Sequence, residues 1–316
     1  MRNFISEDDI EQAILQKLEG DPFQYGILRC DPSPDKRELL PDGTGRSSKK
    51  ECVLPLILRE ALARLNPDIP GEKLEEIARD LCRDFSATDM TATNYKYYNQ
   101  IRNGIKISLR RNGKEDFDFV KMVDFDCPEN NTFTAVSQMW IQGRIYWRRP
   151  DVLIFINGLP MVFVELKNSI VKVEEAYNDN LKNYLRDIPN LFAFNQICVL
   201  SNGLETRLGA FNATYNHFFE WLKVNSEKER PDRQALKEAG TVGESSVRYF
   251  IDGLLRKDRL VDYIENFIMF RNQKNKIIAK NHQYFGVNNL MESVKNRAEL
   301  QGKLGVFWHP QGSGKS

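Results

Sequence analysis

Apolar positions recur at helical spacing in three segments of the first hundred residues. In the first segment Ile10, Ile14 and Leu18 fall on one face, and acidic residues occupy the first turn, as is typical of a helix N-terminus. This periodicity predicts three helices, over residues 7–19, 53–65 and 71–83. Residues 31–50 are rich in Asp, Pro, Gly, Ser and Lys, which indicates a long loop.

From about residue 103 the apolar positions alternate or form short unbroken runs, which is typical of strands. Six strands are predicted, over residues 104–111, 119–125, 133–141, 151–156, 161–167 and 196–201. The fourth and fifth are the most apolar, and the segment NGLP between them indicates a tight turn. Helical spacing returns at 173–186, so the sequence predicts an α/β fold.

A polar stretch with Pro and Gly, residues 224–246, is the best candidate for a domain boundary. The length of 316 residues suggests about two domains. We therefore predict domains at 1–225 and 247–316, with 226–246 as a linker or long connection. In the second domain, helices are expected at 258–270 and 283–300 and a strand at 304–308.

The composition excludes several classes of protein. Apolar residues make up 41% and charged residues 28%, which is ordinary for a globular chain. There is no 18-residue apolar run and no apolar segment near the N-terminus, so neither a membrane span nor a signal peptide is expected. Five scattered cysteines suggest reduced thiols and a cytoplasmic protein. With a net charge of only +1, any nucleic-acid site must be a local basic patch.

Two acids and a lysine mark the most apolar pair of predicted strands. Asp151 opens the first strand, and Glu165 and Lys167 share one face of the second. Charges in such a place need compensation, and Mg²⁺ suits carboxylate oxygens while keeping waters and accepting phosphate oxygens. The lysine can orient or help to deprotonate an attacking water. The alternative is a surface hairpin with an incidental Glu-x-Lys pair.

A shared metal ion constrains the turn between these two predicted strands. Asp151 and Glu165 must face the same side to share an ion, but a hairpin closed only by Asn157 and Gly158 pairs Asp151 with Val164. We therefore predict either a three-residue loop, from Asn157 to Leu159, or a β-bulge within one strand.

The same residues resemble a known family. RRPDVLIFINGLPMVFVELKNS is similar to the Asp…Glu-x-Lys core of restriction-type nucleases, in the form found in the restriction and motor subunit of type I restriction enzymes. The resemblance continues through FDCPENNTFTAVSQ upstream and AYNDNLKNYLRDIPNLFAFNQICVLSNG downstream. It implies a restriction-endonuclease-like, PD-(D/E)xK mixed sheet flanked by helices in residues 1–225. It also implies catalysis by Asp151, Glu165 and Lys167, with Mg²⁺ held by the two carboxylates and the backbone carbonyl of Leu166.

Three further residues follow from this resemblance. The family's Gln-x-x-x-Tyr motif matches Asn180 and Tyr184, where Asn keeps the amide but shortens its reach. For Tyr184, simple helix packing is the alternative. Glu11 on the first helix could approach the metal, as an acid does in related nucleases, but a solvated helix face is the favoured interpretation.

A basic and aromatic run precedes Asp151. Arg148 and Arg149 can neutralise DNA phosphates, with aromatic neighbours available to stack. The alternative is a strand edge with solvated arginines.

The segment HPQGSGKS, residues 309–316, matches the phosphate-binding loop G-x-x-x-x-G-K-S except for its first glycine, where His309 stands. It resembles the first motif of superfamily-2 helicases, and upstream Gln283 would contact adenine unless it only caps a helix. The resemblance implies that residues 247–316 begin a RecA-like helicase or translocase domain, and that the sequence is the first piece of a longer polypeptide. The residues expected to bind ATP with Mg²⁺ are Gln283, Gly312, Ser313, Gly314, Lys315 and Ser316.

The leading hypothesis is a Mg²⁺-dependent endonuclease domain that cleaves double-stranded DNA within an ATP-driven type I restriction–modification complex. The resemblance implies methyltransferase and specificity subunits as partners. Two alternatives are a nuclease-like module that only binds DNA or partner subunits, and a helicase–nuclease of another restriction class. A plain nucleotide-binding protein with a structural Glu-x-Lys pair is a further possibility.

Overall fold

The structure, a computed structural model, describes residues 4–83, 89–111, 114–226 and 228–305. The α-helices of these residues are α1 (Glu7–Glu19), α2 (Pro55–Leu65), α3 (Gly71–Cys82), α4 (Met90–Asn103), α5 (Val173–Glu175), α6 (Lys182–Asp187), α7 (Arg233–Lys237), α8 (Ser246–Leu254), α9 (Lys257–Asn266) and α10 (Asn281–Lys295). The strands are β1 (Gly26–Arg29), β2 (Ile105–Arg111), β3 (Lys114–Val120), β4 (Phe133–Ser137), β5 (Ile141–Gln142), β6 (Trp147–Arg148), β7 (Val152–Ile156), β8 (Leu159–Leu166), β9 (Ile197–Ser201), β10 (Thr206–Gly209), β11 (Phe219–Glu220), β12 (Ile268–Arg271) and β13 (Asn275–Ile278).

A seven-stranded sheet organises the molecule, in the order β1-β4-β7-β8-β9-β10-β11. The pairs β1–β4 and β8–β9 are parallel, and the other neighbours are antiparallel. Three two-stranded ribbons, β2–β3, β5–β6 and β12–β13, lie outside it. The predicted α/β class is confirmed, as a mixed sheet with helices.

The central strands bury both faces. On β8, Val162, Val164 and Leu166 belong to one hydrophobic cluster, and Phe163 belongs to the cluster on the other side. All residues of β7 and β8 are buried, as expected for strands covered on both sides. The polar residues at the ends of these strands are therefore held at the margin of a dry core.

The helix predictions at 7–19, 53–65 and 71–83 are confirmed within about two residues, the usual uncertainty of helix ends. Helix α4, in contrast, was not predicted. Its buried positions are Asn94, Tyr98 and Ile101, so a polar residue interrupts the apolar stripe that would have marked it. Its Asp89 N-cap accepts a hydrogen bond from Ala92 N–H at 3.0 Å.

Several predicted boundaries were wrong. The strand expected at 119–125 lies at Lys114–Val120. The strand expected at 133–141 ends at Ser137, because Gln138 takes a positive φ of 57° that breaks the extended backbone. The helix expected to run to residue 270 ends at Asn266, where β12 follows shortly after.

The β7–β8 hairpin closes with two residues. Asn157 and Gly158 have φ of 52° and 81°, the left-handed pair that a tight hairpin turn requires. A Cβ at residue 158 would also meet Leu54 O at 2.6 Å, so only glycine fits.

A β-bulge then corrects the register of the hairpin. Phe155 faces Pro160, whereas Ile154 faces Val162, so Met161 is the extra residue. Beyond the bulge Val152 faces Val164, and continuing this register sets Asp151 opposite Glu165. The predicted bulge is confirmed.

The helix predicted at 173–186 is present but is not regular. Between α5 and α6, residues Ala176–Leu181 form a π-helical segment. Such wide turns occur often at functional sites.

Residues beyond the predicted linker share the main core. Side chains of α8, α9, β12, β13 and α10 belong to the same hydrophobic cluster as α1 and β8. The domain boundaries at 225 and 247 stay predictions. The glycine-rich segment 309–316, like most of the strand predicted at 304–308, lies outside the described residues. Among the residues that the structure describes, no helix is long and apolar enough for a membrane span.

Candidate functional site

Five polar side chains meet beside α1, where β4 and β8 end and β7 begins. They are Glu11, Gln138, Asp151, Glu165 and Lys167, and we call them the acid cluster. The three residues singled out first from the sequence, Asp151, Glu165 and Lys167, are thus brought together. Glu11 joins them from the buried side of α1, so the solvated-face interpretation of Glu11 is wrong.

Glu165 is the most enclosed member, with 2% of its surface exposed. Its Oε1 accepts a hydrogen bond from Asn180 Nδ2 and lies 3.6 Å from Lys167 Nζ. Its Oε2 is buried and has no hydrogen-bond partner. Burial raises the pKa of Glu165 well above its usual range, and the nearby charge of Asp151 adds to this effect.

Asp151 is anchored by the neighbouring strand. Its Oδ2 accepts a hydrogen bond from the backbone N–H of Leu166 at 2.7 Å. Burial raises the pKa of Asp151 to about 6, although the Leu166 N–H and the Lys167 ammonium oppose this change. Lys167 lies beside both acids and donates to the carbonyl of Leu166 at 3.1 Å. With Glu11, the cluster thus has three carboxylates and one cation in a largely buried place.

Gln138 connects Glu11 to the cluster. Its Nε2 donates to Glu11 Oε2 and lies 3.4 Å from Asp151 Oδ1. Burial raises the pKa of Glu11, the Gln138 amide lowers it, and the charge of Asp151 raises it further. The amide thus lies between two acids that repel one another.

Asn180 and Tyr184 approach the cluster from the irregular helix. Asn180 lies in the π-helical segment and donates to Glu165 Oε1. The Tyr184 hydroxyl donates to Arg149 O at 3.1 Å and lies 3.5 Å from Glu165 Oε1. Tyr184 also packs edge-on against Phe163, with ring centroids 5.4 Å apart. Packing and site contact, the two interpretations weighed for Tyr184, are therefore both present.

Arg148 and Arg149 have protein partners. Arg148 donates to the buried carboxylate of Asp187 through Nε at 2.7 Å. Hydrogen bonds from Arg186 and Arg148 hold the pKa of Asp187 below its usual range. Arg149 donates to Pro32 O and lies over the Trp140 ring, 5.2 Å from its centroid. Their contact with DNA phosphates stays a prediction.

The unpartnered Oε2 of Glu165 is the observation that fits a cation. A buried carboxylate oxygen without a donor is costly, and an Mg²⁺ ion would satisfy it together with Asp151 and the Leu166 carbonyl. The described residues contain no group of three or more His, Cys, Asp or Glu side chains arranged to hold an ion. A two-carboxylate site suits Mg²⁺, because this ion keeps several of its waters.

Gln283 lies at the start of α10. Its Oε1 accepts from the N–H of Lys280 at 2.7 Å, so it caps the helix, which was the simpler of its two interpretations. It also lines a cavity of about 500 Å³ with Arg271, Lys276 and Lys280. The other residues expected to bind ATP, from Gly312 to Ser316, lie outside the described residues.

One member of the acid cluster was missed by the sequence analysis. Gln138 directly follows the apolar strand β4, and a polar side chain at a buried strand end is the signal that could have revealed it. What the sequence could not show is that this strand end meets α1.

The comparisons with known proteins identify the family. Residues 4–217 match the family described as type I restriction enzyme R protein N terminus. The chain belongs to this family. Residues 282–316 match a second family, described as SWI2/SNF2 ATPase. The first match contains the whole acid cluster, and the second contains Gln283.

Known members of this family are similar in sequence to the chain along much of its length. The endonuclease subunit of the type I restriction enzyme HindI from Haemophilus influenzae is 32% identical over 322 residues, which include 99% of this chain and 29% of that protein. A type I restriction enzyme endonuclease subunit from Staphylococcus aureus is 27% identical over 215 residues, which include 67% of this chain and 21% of that protein. The chain thus spans less than a third of the length of these relatives.

Proposed function

We propose that this chain carries a Mg²⁺-dependent endonuclease site of PD-(D/E)xK type that cleaves double-stranded DNA in a type I restriction system. The observation that carries the proposal is Glu165: a buried carboxylate with an unpartnered oxygen, opposite Asp151 and 3.6 Å from Lys167 Nζ. Membership of the R protein family and relatives named as endonuclease subunits support it.

The residues divide the chemistry between them. Asp151, Glu165 and the Leu166 carbonyl would hold the cation, which supplies a Lewis acid for the phosphate and an acidified water. Lys167 is placed to orient or deprotonate the attacking water and to stabilise charge on the phosphate. Asn180 and Tyr184 would position the Glu165 carboxylate through its Oε1 and leave its Oε2 for the cation.

The proposal extends to a motor. Residues 247–316 would begin a RecA-like, ATP-driven translocase, with Gln283 at the adenine and Gly312–Ser316 at the phosphates of ATP–Mg²⁺. The match of residues 282–316 to an ATPase family supports this assignment. Methyltransferase and specificity subunits would then select the DNA site, in the cytoplasm.

The decisive experiment replaces each catalytic candidate in the assembled complex. Asp151→Ala, Glu165→Ala and Lys167→Ala should each abolish plasmid cleavage, while DNA-stimulated ATP hydrolysis remains, because the two activities use different metal sites. The exposed residues Lys172 and Glu175 provide matched controls, and their alanine variants should cut normally.

Two outcomes would contradict the proposal. Cleavage that survives any one of the three replacements would remove that residue from the catalytic set. A wild-type complex that binds DNA and hydrolyses ATP but never cuts with Mg²⁺ would favour the alternative, a module that only binds.

A further inference from the structure

The backbone at the end of β4 places Gln138 against Asp151 in an unusual conformation. The N–H of Gln138 donates to Asp151 O at 3.0 Å, which extends the pairing of β4 with β7 by one residue. Gln138 has φ of 57°, in the left-handed region that side chains other than Gly and Asn seldom adopt. Such strained residues persist where their surroundings hold them, and they cluster at functional sites.

The side chain of Gln138 is only half satisfied. Its Nε2 serves Glu11 and Asp151, two carboxylates that accept but cannot donate when ionised. The amide must therefore turn its nitrogen toward them, and its Oε1 is buried without a partner. The cluster thus contains two unpartnered buried oxygens, Gln138 Oε1 and Glu165 Oε2.

Another buried glutamine shows what a purely structural role looks like. Gln196 donates through Nε2 to Phe194 O at 2.7 Å and accepts at Oε1 from Lys276 Nζ at 2.8 Å. Both ends of its amide are used. Buried polar atoms are nearly always paired in this way, so the unpartnered Oε1 of Gln138 indicates a missing ligand.

We propose that Gln138 is a positioning residue of the cation site: its amide nitrogen holds Glu11 and Asp151 side by side, and its amide oxygen is a further acceptor for the hydrated ion. The proposal rests on the proposed metal site and goes beyond it. Replacing a residue that positions metal ligands commonly lowers the metal affinity about 10- to 100-fold. We expect a loss of this order when Gln138 is replaced.

Mn²⁺ binding tests this role without relying on cleavage. Mn²⁺ takes the same oxygen ligands as Mg²⁺, and its free concentration can be followed by electron paramagnetic resonance. Gln138→Gly removes the amide but suits the left-handed backbone, so the protein should fold normally. We expect its Mn²⁺ affinity to fall at least about 10-fold, with thermal unfolding unchanged or shifted upward.

Gln24 offers a matched control. It too has a positive φ, of 49°, and it donates to an aspartate, Asp21, at 2.6 Å, but on the exposed surface. Gln24→Gly should leave Mn²⁺ binding unchanged. Gln138→Asn, which tolerates the backbone and keeps a shorter amide, should bind Mn²⁺ with intermediate affinity and serves if the glycine variant fails to fold.

The outcomes separate this inference from the proposed function. If the wild-type chain binds Mn²⁺, Asp151→Asn abolishes binding and Gln138→Gly binds as tightly as wild type, then Gln138 has no positioning role although the metal site stands. If the wild-type chain binds no Mn²⁺, the metal site and this inference both fail.

Discussion

Among the places where the described residues bury charge, two are built in opposite ways. In the acid cluster, Glu165 Oε2 and Gln138 Oε1 have no partner. The second place surrounds Lys276 of β13, which is 3% exposed. Its Nζ donates to three oxygens, Asn94 Oδ1 at 3.1 Å, Asn195 O at 2.6 Å and Gln196 Oε1 at 2.8 Å. We call these four residues the lysine cage.

The lysine cage is a closed network. The three donor positions of the ammonium are filled, and the rings of Phe211 and Phe270 lie 5.9 and 5.6 Å away. Burial lowers the pKa of Lys276 well below its usual range. Asn94 in turn joins α4 to the carbonyls that precede β9. The cage thus fastens β13 and α4 to the sheet.

The contrast shows how a buried polar group reveals its role. A network in which every donor and acceptor is used stabilises the fold and leaves nothing for a ligand. A cluster with like charges and open oxygens is unstable by itself and favours an added cation. The predictions below test this difference.

Breaking the closed network should cost the most stability. Lys276→Met would leave two oxygens, Asn94 Oδ1 and Gln196 Oε1, without this donor, at roughly 1–3 kcal/mol each, whereas Asn195 O still accepts from Asn94 Nδ2. The cost is partly offset because no ammonium is buried. We expect a loss of about 3 kcal/mol in the free energy of unfolding, measured by urea denaturation. Lys274→Met, on the exposed turn of the same ribbon, is the control and should change little. Equal stability of the two variants would show that the cage is not structural.

Filling the open cluster should stabilise the protein by a similar amount. At 100 times its dissociation constant, Mg²⁺ should add about 2.7 kcal/mol, because it binds the folded chain only. Thermal unfolding with and without Mg²⁺ measures this, and Glu165→Gln should abolish the difference. The Lys276→Met variant should keep it, since the cage contains no cation ligand. A Mg²⁺ effect that survives in Glu165→Gln would place the ion elsewhere.

Neutralising Glu165 should stabilise the metal-free protein. Glu165→Gln replaces a buried carboxylate that has an unpartnered oxygen, so we expect the free energy of unfolding measured in chelator to rise by about 1 kcal/mol. In a separate assay with Mg²⁺, the variant should not cleave DNA. Glu175→Gln, on the exposed surface of α5, is the control. A variant less stable than wild type would mean that the carboxylate serves the fold.

The smallest expected effect is a pair of opposite pH slopes. The folded pKa of Asp151, about 6, exceeds its ordinary value of 3.8, so its stabilising contribution is present at low pH and is lost as pH rises through 6. Lys276 has a lowered folded pKa, so the unfolded chain binds more protons and stability rises with pH toward 10.5.

Thermal unfolding in chelator checks both slopes. Asp151→Asn should flatten the fall between pH 4 and about 7, and Lys276→Met should flatten the rise above about pH 8. The Mg²⁺ effect should also weaken below about pH 6, because a proton on Asp151 competes with the ion. Identical pH profiles in the variants and the wild type would contradict the burial of these charges.

Most features of the β7–β8 hairpin could be predicted from the sequence. Alternation along 161–167 put Glu165 and Lys167 on one face of the strand. Because Asp151 must face the same side to share an ion, a register irregularity was predicted, and the structure shows it as a β-bulge at Met161. The α/β class and α1–α3 also follow from periodicity, because apolar spacing reports which face of an element is buried. Helix α4 was missed for the same reason, since its first buried residue is Asn94.

The sequence by itself determined the residue types and the local register: an acid, a bulged apolar hairpin, and a Glu-x-Lys pair that share a face. Only the tertiary structure decided what surrounds them. The meeting of Glu11 with Gln138 joins residues 127 positions apart, and the lysine cage joins Asn94 to Lys276 across 182. Local spacing cannot encode such contacts, because they depend on how elements pack, and packing decides whether a buried charge is paired or left open.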